Sequence, residues 1–143
     1  MPPYFEDVSE GDELPALVKG PLAEVDLVRY AGASGDFNAI HTVPRIAREV
    51  GLDGVIAHGM LIMAYAGQML TGWAGPDALR TFNVRFTGMT EPGETLVCEA
   101  RVTKKEESDG EGIVHGRLTV KSQADDSLKL KGDFAAALPL RGA

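Results

Sequence analysis

The sequence holds a single cysteine, Cys98, in 143 residues, which excludes a disulfide scaffold and a multi-cysteine zinc site. It is also short of positive charge: 14 lysines and arginines stand against 21 acids, for a formal net charge of −7. Sequence-independent grip on nucleic acid needs clustered positive charge, so that class of partner is excluded. The opening MPPYFEDVSEGDE has neither a basic region nor an apolar core and does not read as a secretory signal. The longest apolar run is interrupted by glycines, Gln68 and Thr71, and is too short to span a bilayer. The expectation is a soluble, cytoplasmic chain without a membrane partner. Linkers, low-complexity tracts and internal repeats are absent too, which leaves residues 1–143 as one domain. With 44% apolar and 24% charged residues the chain is globular in composition.

Charge is unevenly spread. Residues 1–13 carry five acids and no base, whereas residues 54–90 carry one acid, Asp77, and two bases, Arg80 and Arg85. A solvated face accounts for the first stretch. The second is the kind of surface that an acidic protein needs in order to meet an acidic carrier.

The first half reads helical and the second half as strands, an α+β pattern. Residues 14–22, broken by Pro15 and Pro21, make at best an edge strand. Residues 22–33 read as a short amphipathic helix closed by Gly32 and Gly35. Residues 44–50 read as a second, with Thr42 as its cap and Gly51 in the stop position. The strongest element is 57–72, where Met60, Leu61, Met63, Ala64, Tyr65, Met69 and Leu70 cover most of the circumference. A helix apolar nearly all round is expected to be buried; this one would run about 24 Å until Gly72, Gly75 and Pro76 stop it.

After residue 80 the period changes to two. Phe82, Val84 and Phe86 form one apolar face, and Leu96, Cys98, Ala100 and Val102 a second. Val114, Leu118 and Val120 form a third, and Leu128, Leu130, Phe134 and Ala136 a fourth. Residues 104–112 (KKEESDGEG) and 124–127 (ADDS) read as the turns between them. Four long antiparallel strands in meander, an early edge strand and one buried helix predict a sheet wrapped around a helix, the hot-dog arrangement.

Three histidines are candidates for chemistry. His115 falls on the polar side of a strand and reads as a surface residue. His41 follows Asp36 by five positions and Asn38 by three, in the glycine-containing stretch Ser34–His41 between two short helices. Asp36 and Asn38 serve equally well as loop and cap residues, so on spacing alone the two readings stand level. A carboxylate and an imidazole facing one small site can hold a water between them, and an imidazole's ordinary pKa of about 6.5 suits proton transfer at neutral pH. His58 opens the buried helix in Ala57-His58-Gly59-Met60. The first amides of a helix lack an intrahelical acceptor and sit at its positive end. A carbonyl directed at the Gly59 N–H would be polarised there. Close packing of helix on sheet is the other use for that glycine.

Tyr30-Ala31-Gly32-Ala33-Ser34-Gly35-Asp36-Phe37-Asn38-Ala39-Ile40-His41, followed by Ile56-Ala57-His58-Gly59-Met60, resembles the hydratase motif and helix start of the MaoC-like (R)-specific enoyl hydratases and dehydratases. Asn83-Val84-Arg85-Phe86 and Pro92-Gly93-Glu94 are similar to the strand and turn that follow the helix in that family. The resemblance spans roughly residues 5–138, and its details are similar in particular to the HadB-type (3R)-hydroxyacyl-ACP dehydratase subunit. Two positions depart from the family pattern. Ala39 stands where proline is usual, which loosens the loop, and Val43 stands where an acid is usual, which removes a capping carboxylate that Thr42 would replace.

The resemblance implies a reversible syn addition or loss of water across C2–C3 of an acyl thioester, on CoA or an acyl carrier protein. Asp36 and His41 would form the catalytic dyad, the Gly59 amide would bind the thioester carbonyl, and Asn38, Ser34 and His58 would support them. No metal or redox cofactor is signalled. A hot-dog thioesterase would place its carboxylate on the central helix, yet residues 57–72 contain no Asp or Glu. A non-catalytic acyl-binding subunit would lack the dyad, and both members are present. The resemblance further implies a homodimer, or a heterodimer with a second hot-dog subunit.

Overall fold

A computed structural model describes residues 1–142 of the chain. Its elements run in the order β1 (Leu17–Lys19), α1 (Glu24–Ser34), α2 (Pro44–Glu49), α3 (Gly59–Ala74), β2 (Leu79–Phe86), β3 (Leu96–Ser108), β4 (Glu111–Ser122) and β5 (Leu128–Leu138), with 3-10 turns at Phe5–Asp7 and Ala39–His41. The strands form one antiparallel sheet in the order β1-β3-β4-β5-β2. Helix α3 contacts all five strands, so the sheet curls around it in the hot-dog arrangement that the residue pattern predicts. No helix among the described residues is long and apolar enough to cross a membrane.

The inner face of the sheet is built from the alternating apolar sets. Leu96, Cys98, Ala100 and Val102 of β3, Val114, Leu118 and Val120 of β4, and Leu130, Phe134 and Ala136 of β5 are all buried. They pack with Leu61, Ile62, Ala66, Met69 and Leu70 of α3 in one core. Bringing large side chains from both layers together removes apolar area from water, the main favourable term in folding.

Five expectations are corrected. The strands are not a simple meander, because β2 pairs with β5, Phe82 opposite Phe134 and Phe86 opposite Leu130. The outer edge of β3 is already occupied by β1, with Leu17 opposite Cys98, so the chain leaving β2 must cross the end of the sheet to reach β3. Backbone hydrogen bonds hold that crossover, among them Ala57 N–H to Thr90 O at 2.8 Å, Leu22 N–H to Glu94 O at 2.9 Å, and Gly93 N–H to Leu22 O at 2.6 Å.

The polar stretch 104–112 is mostly strand. The turn is only Asp109-Gly110, both left-handed at φ 52° and 79°, the two-residue geometry that suits the twist of a hairpin. Lys104 to Ser108 stay in β3 because they pair with β4, from Lys104 opposite His115 to Ser108 opposite Glu111; Glu106 accepts across the strands from His115 at 2.8 Å and along its own strand from Lys104 at 2.6 Å.

Helix α3 starts two residues later than expected and runs through Gly72 to Ala74. Gly75, at φ 101°, is its cap. Nor is α3 buried all round. Met60 is 56% exposed, and Ala64, Gln68 and Gly72 continue an exposed stripe at every fourth residue.

Thr42 does not cap α2. Val43 takes that position without a side-chain bond, and Pro44 at the first helical position has no N–H that needs an acceptor.

Candidate active site

Helix α1 ends where Gly35 turns left-handed at φ 76°, and the next residues are fixed by their own polar groups. Ser34 Oγ donates to Tyr30 O at 2.7 Å and accepts from the Asp36 N–H at 3.1 Å. Asp36 Oδ1 accepts from the Asn38 N–H, and Asn38 Oδ1 from the Ile40 N–H, each at 3.2 Å. Ser34, Asp36 and Asn38 therefore do act as loop and cap residues. This uses only one oxygen of Asp36, and the other, Oδ2, lies 3.9 Å from His41 Nε2.

The His41 ring is held from its far side. Nδ1 lies 2.7 Å from the carbonyl oxygen of Ile56, a contact that requires Nδ1 to carry the proton and donate. In the neutral imidazole Nε2 is then the lone-pair acceptor, and it lies toward Asp36 Oδ2. Two acceptors 3.9 Å apart do not bond each other, but a single water can donate a proton to each. The Asp36 side chain is 52% exposed and that of His41 10%, so solvent reaches the gap from the carboxylate side.

His58 completes the cluster from beneath. It is 1% exposed, its Nε2–H donates to the backbone carbonyl of Asp36 at 3.1 Å, and its ring stacks on His41 with centroids 3.8 Å apart and planes 23° apart. The Tyr30 ring meets His58 edge-on at 4.8 Å. His58 thus ties the Asp36 loop to the His41 ring. Ligand atoms of Asp36, His41 and His58 all lie within 4.8 Å of one another. Stacked imidazoles, however, point their in-plane lone pairs along parallel planes, and one His58 nitrogen is already committed, so the three do not converge as a chelate.

A cavity of about 180 Å³ opens beside the dyad, lined by His41, Ala57, Gly59, Ile62, Phe86, Met89, Thr90 and Lys129 among others. Gly59 is the first residue of α3, so its amide belongs to the unpaired N-terminal set. A β-carbon on Gly59 would stand 3.2 Å from the Phe86 ring. Close packing on the sheet is therefore met at this glycine, which also lines the cavity.

Part of the lining is polar. Lys129 is 7% exposed and donates to Met89 O and to Glu94 Oε1, each at 2.8 Å. Burial acts to raise the Glu94 carboxyl, but Lys129 and the Glu91 N–H outweigh it and hold the group below the usual range. Thr90 and Lys129 were not singled out from sequence, and Phe86 was read there as a strand residue, not as part of the site. Only the β2–β5 pairing and the crossover bring them here. Cys98 has no part in the site: it is buried under the sheet and its thiol is pushed up to about 11 by that burial, which leaves it inert.

His115 lies on the outer side of the sheet, as its place in the strand predicts, half-buried against Glu106. A depression of about 310 Å³ between Glu13, Glu99, Arg101 and Arg117 contains none of the clustered residues.

A family model described as MaoC like domain matches residues 8–124. Over 117 residues the chain is 37% identical to a fatty acid synthase beta subunit from Emericella nidulans, covering 77% of this chain and 6% of that one. It is 31% identical over 102 residues to the (R)-specific enoyl-CoA hydratase of Rhodospirillum rubrum, covering 70% of this chain and 69% of the relative. Among solved structures, an R-hydratase from Pseudomonas aeruginosa in unliganded form superimposes with a TM-score of 0.83 at 26% identity, over 96% of this chain and 86% of that one. The chain thus spans only a small part of the fungal subunit and about two thirds of the bacterial hydratase.

Proposed function

The chain belongs to the MaoC-like dehydratase family, and from that footing we propose that it catalyses the reversible syn hydration of trans-2-enoyl thioesters to (3R)-3-hydroxyacyl thioesters. One observation carries the reading: Asp36 Oδ2 and Nε2 of His41 face each other at 3.9 Å, beside a cavity that also presents the Gly59 amide end of α3. In the hydration direction the pair holds a water above C3. It removes one proton as the oxygen adds, and delivers one to C2 from the same side, so that both new bonds form on one face. Electron density passing from C3 through C2 collects on the thioester oxygen. The Gly59 N–H at the positive end of α3 stabilises it there.

In this reading Ser34 and Asn38 hold the loop, and His58 fixes the Asp36 carbonyl and the His41 ring. Residues 1–143 form one catalytic unit that acts on CoA or acyl-carrier thioesters, as a HadB-type subunit would. A second hot-dog copy, identical or related, joins at the free edge of β2 and covers the Met60–Ala64 stripe, since an open strand edge invites pairing.

The direct test is hydration of crotonyl-CoA by the purified chain, followed as loss of enoyl-thioester absorbance and resolved by product chirality. Formation of (3R)-3-hydroxybutyryl-CoA is expected. No hydration, or release of free CoA in its place, would overturn the proposal.

A further inference from the structure

The amide end of α3 is held from two directions. Toward the dyad, the Ile56 N–H donates to Ile40 O at 3.2 Å, the Ile56 carbonyl accepts from His41 Nδ1, and His58 Nε2–H donates to Asp36 O. The other hold comes from the crossover, residues 87–95 between β2 and β3. Its Thr90 carbonyl accepts from the Ala57 N–H at 2.8 Å, two positions before Gly59. At its entrance the Phe86 ring lies so close that a β-carbon on Gly59 would stand 3.2 Å from it. The place of the Gly59 amide relative to Asp36 and His41 therefore depends on where the crossover lies.

One residue of β5 fixes that crossover at its beginning, middle and end. The Lys129 carbonyl accepts from the Thr87 and Gly88 N–H groups at 2.9 and 3.3 Å. The Lys129 ammonium donates to Met89 O and to Glu94 Oε1, each at 2.8 Å. Glu94 is braced in turn, because its other oxygen accepts from the Glu91 N–H at 2.7 Å. Any residue at 129 can supply the backbone bonds, but the two ammonium bonds require the lysine. Lys129 is 7% exposed, and taking an ion pair out of water costs desolvation that a hydrocarbon side chain of similar volume would not incur. What the pair adds over a hydrocarbon is a direct tie between β5 and the residue before Thr90.

Resting on the hydratase reading, we propose that Lys129, with Glu94, is a positioning residue for the oxyanion site: through Met89 and Thr90 it holds Ala57, and so the Gly59 amide, where the thioester oxygen needs it. The role requires no contact with substrate, and Glu94 lies outside the cavity lining. A misplacement of about 1 Å in such a group costs on the order of a hundredfold in rate. The loss falls on kcat more than on KM, because charge reaches the oxygen only in the transition state.

The test uses the double variant Lys129→Met/Glu94→Gln, which cuts the tie without stranding a charge and leaves an acceptor for the Glu91 N–H. It is read in two ways: kcat and KM for crotonyl-CoA, and the absorbance of 2,4-hexadienoyl-CoA bound at saturation in an Asp36→Asn background, where turnover is slow. A donor on the thioester oxygen polarises the conjugated system and moves its absorbance to longer wavelength. The double variant is expected to fold, to lose about tenfold to a hundredfold in kcat with a smaller change in KM, and to show a diminished red shift. Glu94→Gln alone, which keeps a weaker acceptor for the ammonium, should fall between it and wild type. A folded double variant with wild-type kcat overturns the proposal. So does a lowered kcat with an undiminished red shift, since a merely structural loss leaves the bound chromophore as it was. If the double variant fails to fold, an undiminished red shift with Glu94→Gln overturns it. Absence of crotonyl-CoA hydration by wild type overturns the hydratase reading itself, and is seen before any variant is made.

Discussion

At the residue scale the site uses single groups twice. Asp36 spends one carboxylate oxygen on its own loop and presents the other to His41, at 3.2 and 3.9 Å respectively. This is why the loop reading and the catalytic reading of the sequence stood level: both describe the same side chain. Gly59 is a similar case. A methyl there would meet the Phe86 ring at 3.2 Å, but that ring belongs to a residue 46% exposed and can give by a few tenths of an ångström. Alanine is also the better helix former, by about 1 kcal/mol. Gly59→Ala is therefore expected to fold with a melting temperature close to that of wild type. The added methyl stands in the approach to its amide, so kcat/KM for enoyl-CoA hydration should fall about tenfold to a hundredfold, less than the full loss of an oxyanion donor. Unaltered kinetics would show that the Gly59 amide does not receive the thioester.

At the element scale, what was legible in the sequence was local. The stretch from Ser34 to His41, the start of α3 at His58-Gly59 and the inward faces of β3, β4 and β5 each follow from residues close together in the chain. What was not legible depended on pairing at a distance. Nothing in the period of Phe82, Val84 and Phe86 states that their strand lies beside β5, and without that fact Thr90 and Lys129 have no reason to meet. The polar run ahead of Asp109-Gly110 failed for another reason. Polarity marks solvent on both faces of a strand that outruns the core as readily as it marks a loop.

The β2–β5 pairing makes its own prediction. Gly132 faces Val84, and a β-carbon at Gly132 would fall 1.9 Å from the Asn83 carbonyl oxygen and 2.9 Å from Val84 Cα. Backbone cannot retreat as a side chain tip can, so Gly132→Ala should destabilise by about 1–3 kcal/mol or somewhat more, read as a lower denaturation midpoint at unchanged slope. A variant as stable as wild type would mean that β2 does not sit against β5 in this register.

At the scale of the whole molecule, a single copy leaves two features uncovered. The free edge of β2 presents unpaired backbone groups, and the stripe through Met60 lies close by with Phe86 and Met89, which are 46% and 61% exposed. The proposed second hot-dog copy would cover both, and light scattering at micromolar concentration should then return a mass near twice the 15.2 kDa of one chain. A mass near that of one chain would leave the edge and stripe unexplained by pairing.

The central claim is narrower than assembly: one carboxylate and one imidazole of this chain move the protons. It is tested most directly by kcat for crotonyl-CoA hydration by Asp36→Asn, His41→Ala and the double variant, each first shown to be folded by circular dichroism. The account predicts that each single change lowers kcat by about two to four orders of magnitude, and that the double is little worse than the worse single, because the pair acts as a unit. A folded single variant that keeps more than about a tenth of wild-type kcat, far above the loss expected for a general acid–base group, would contradict it.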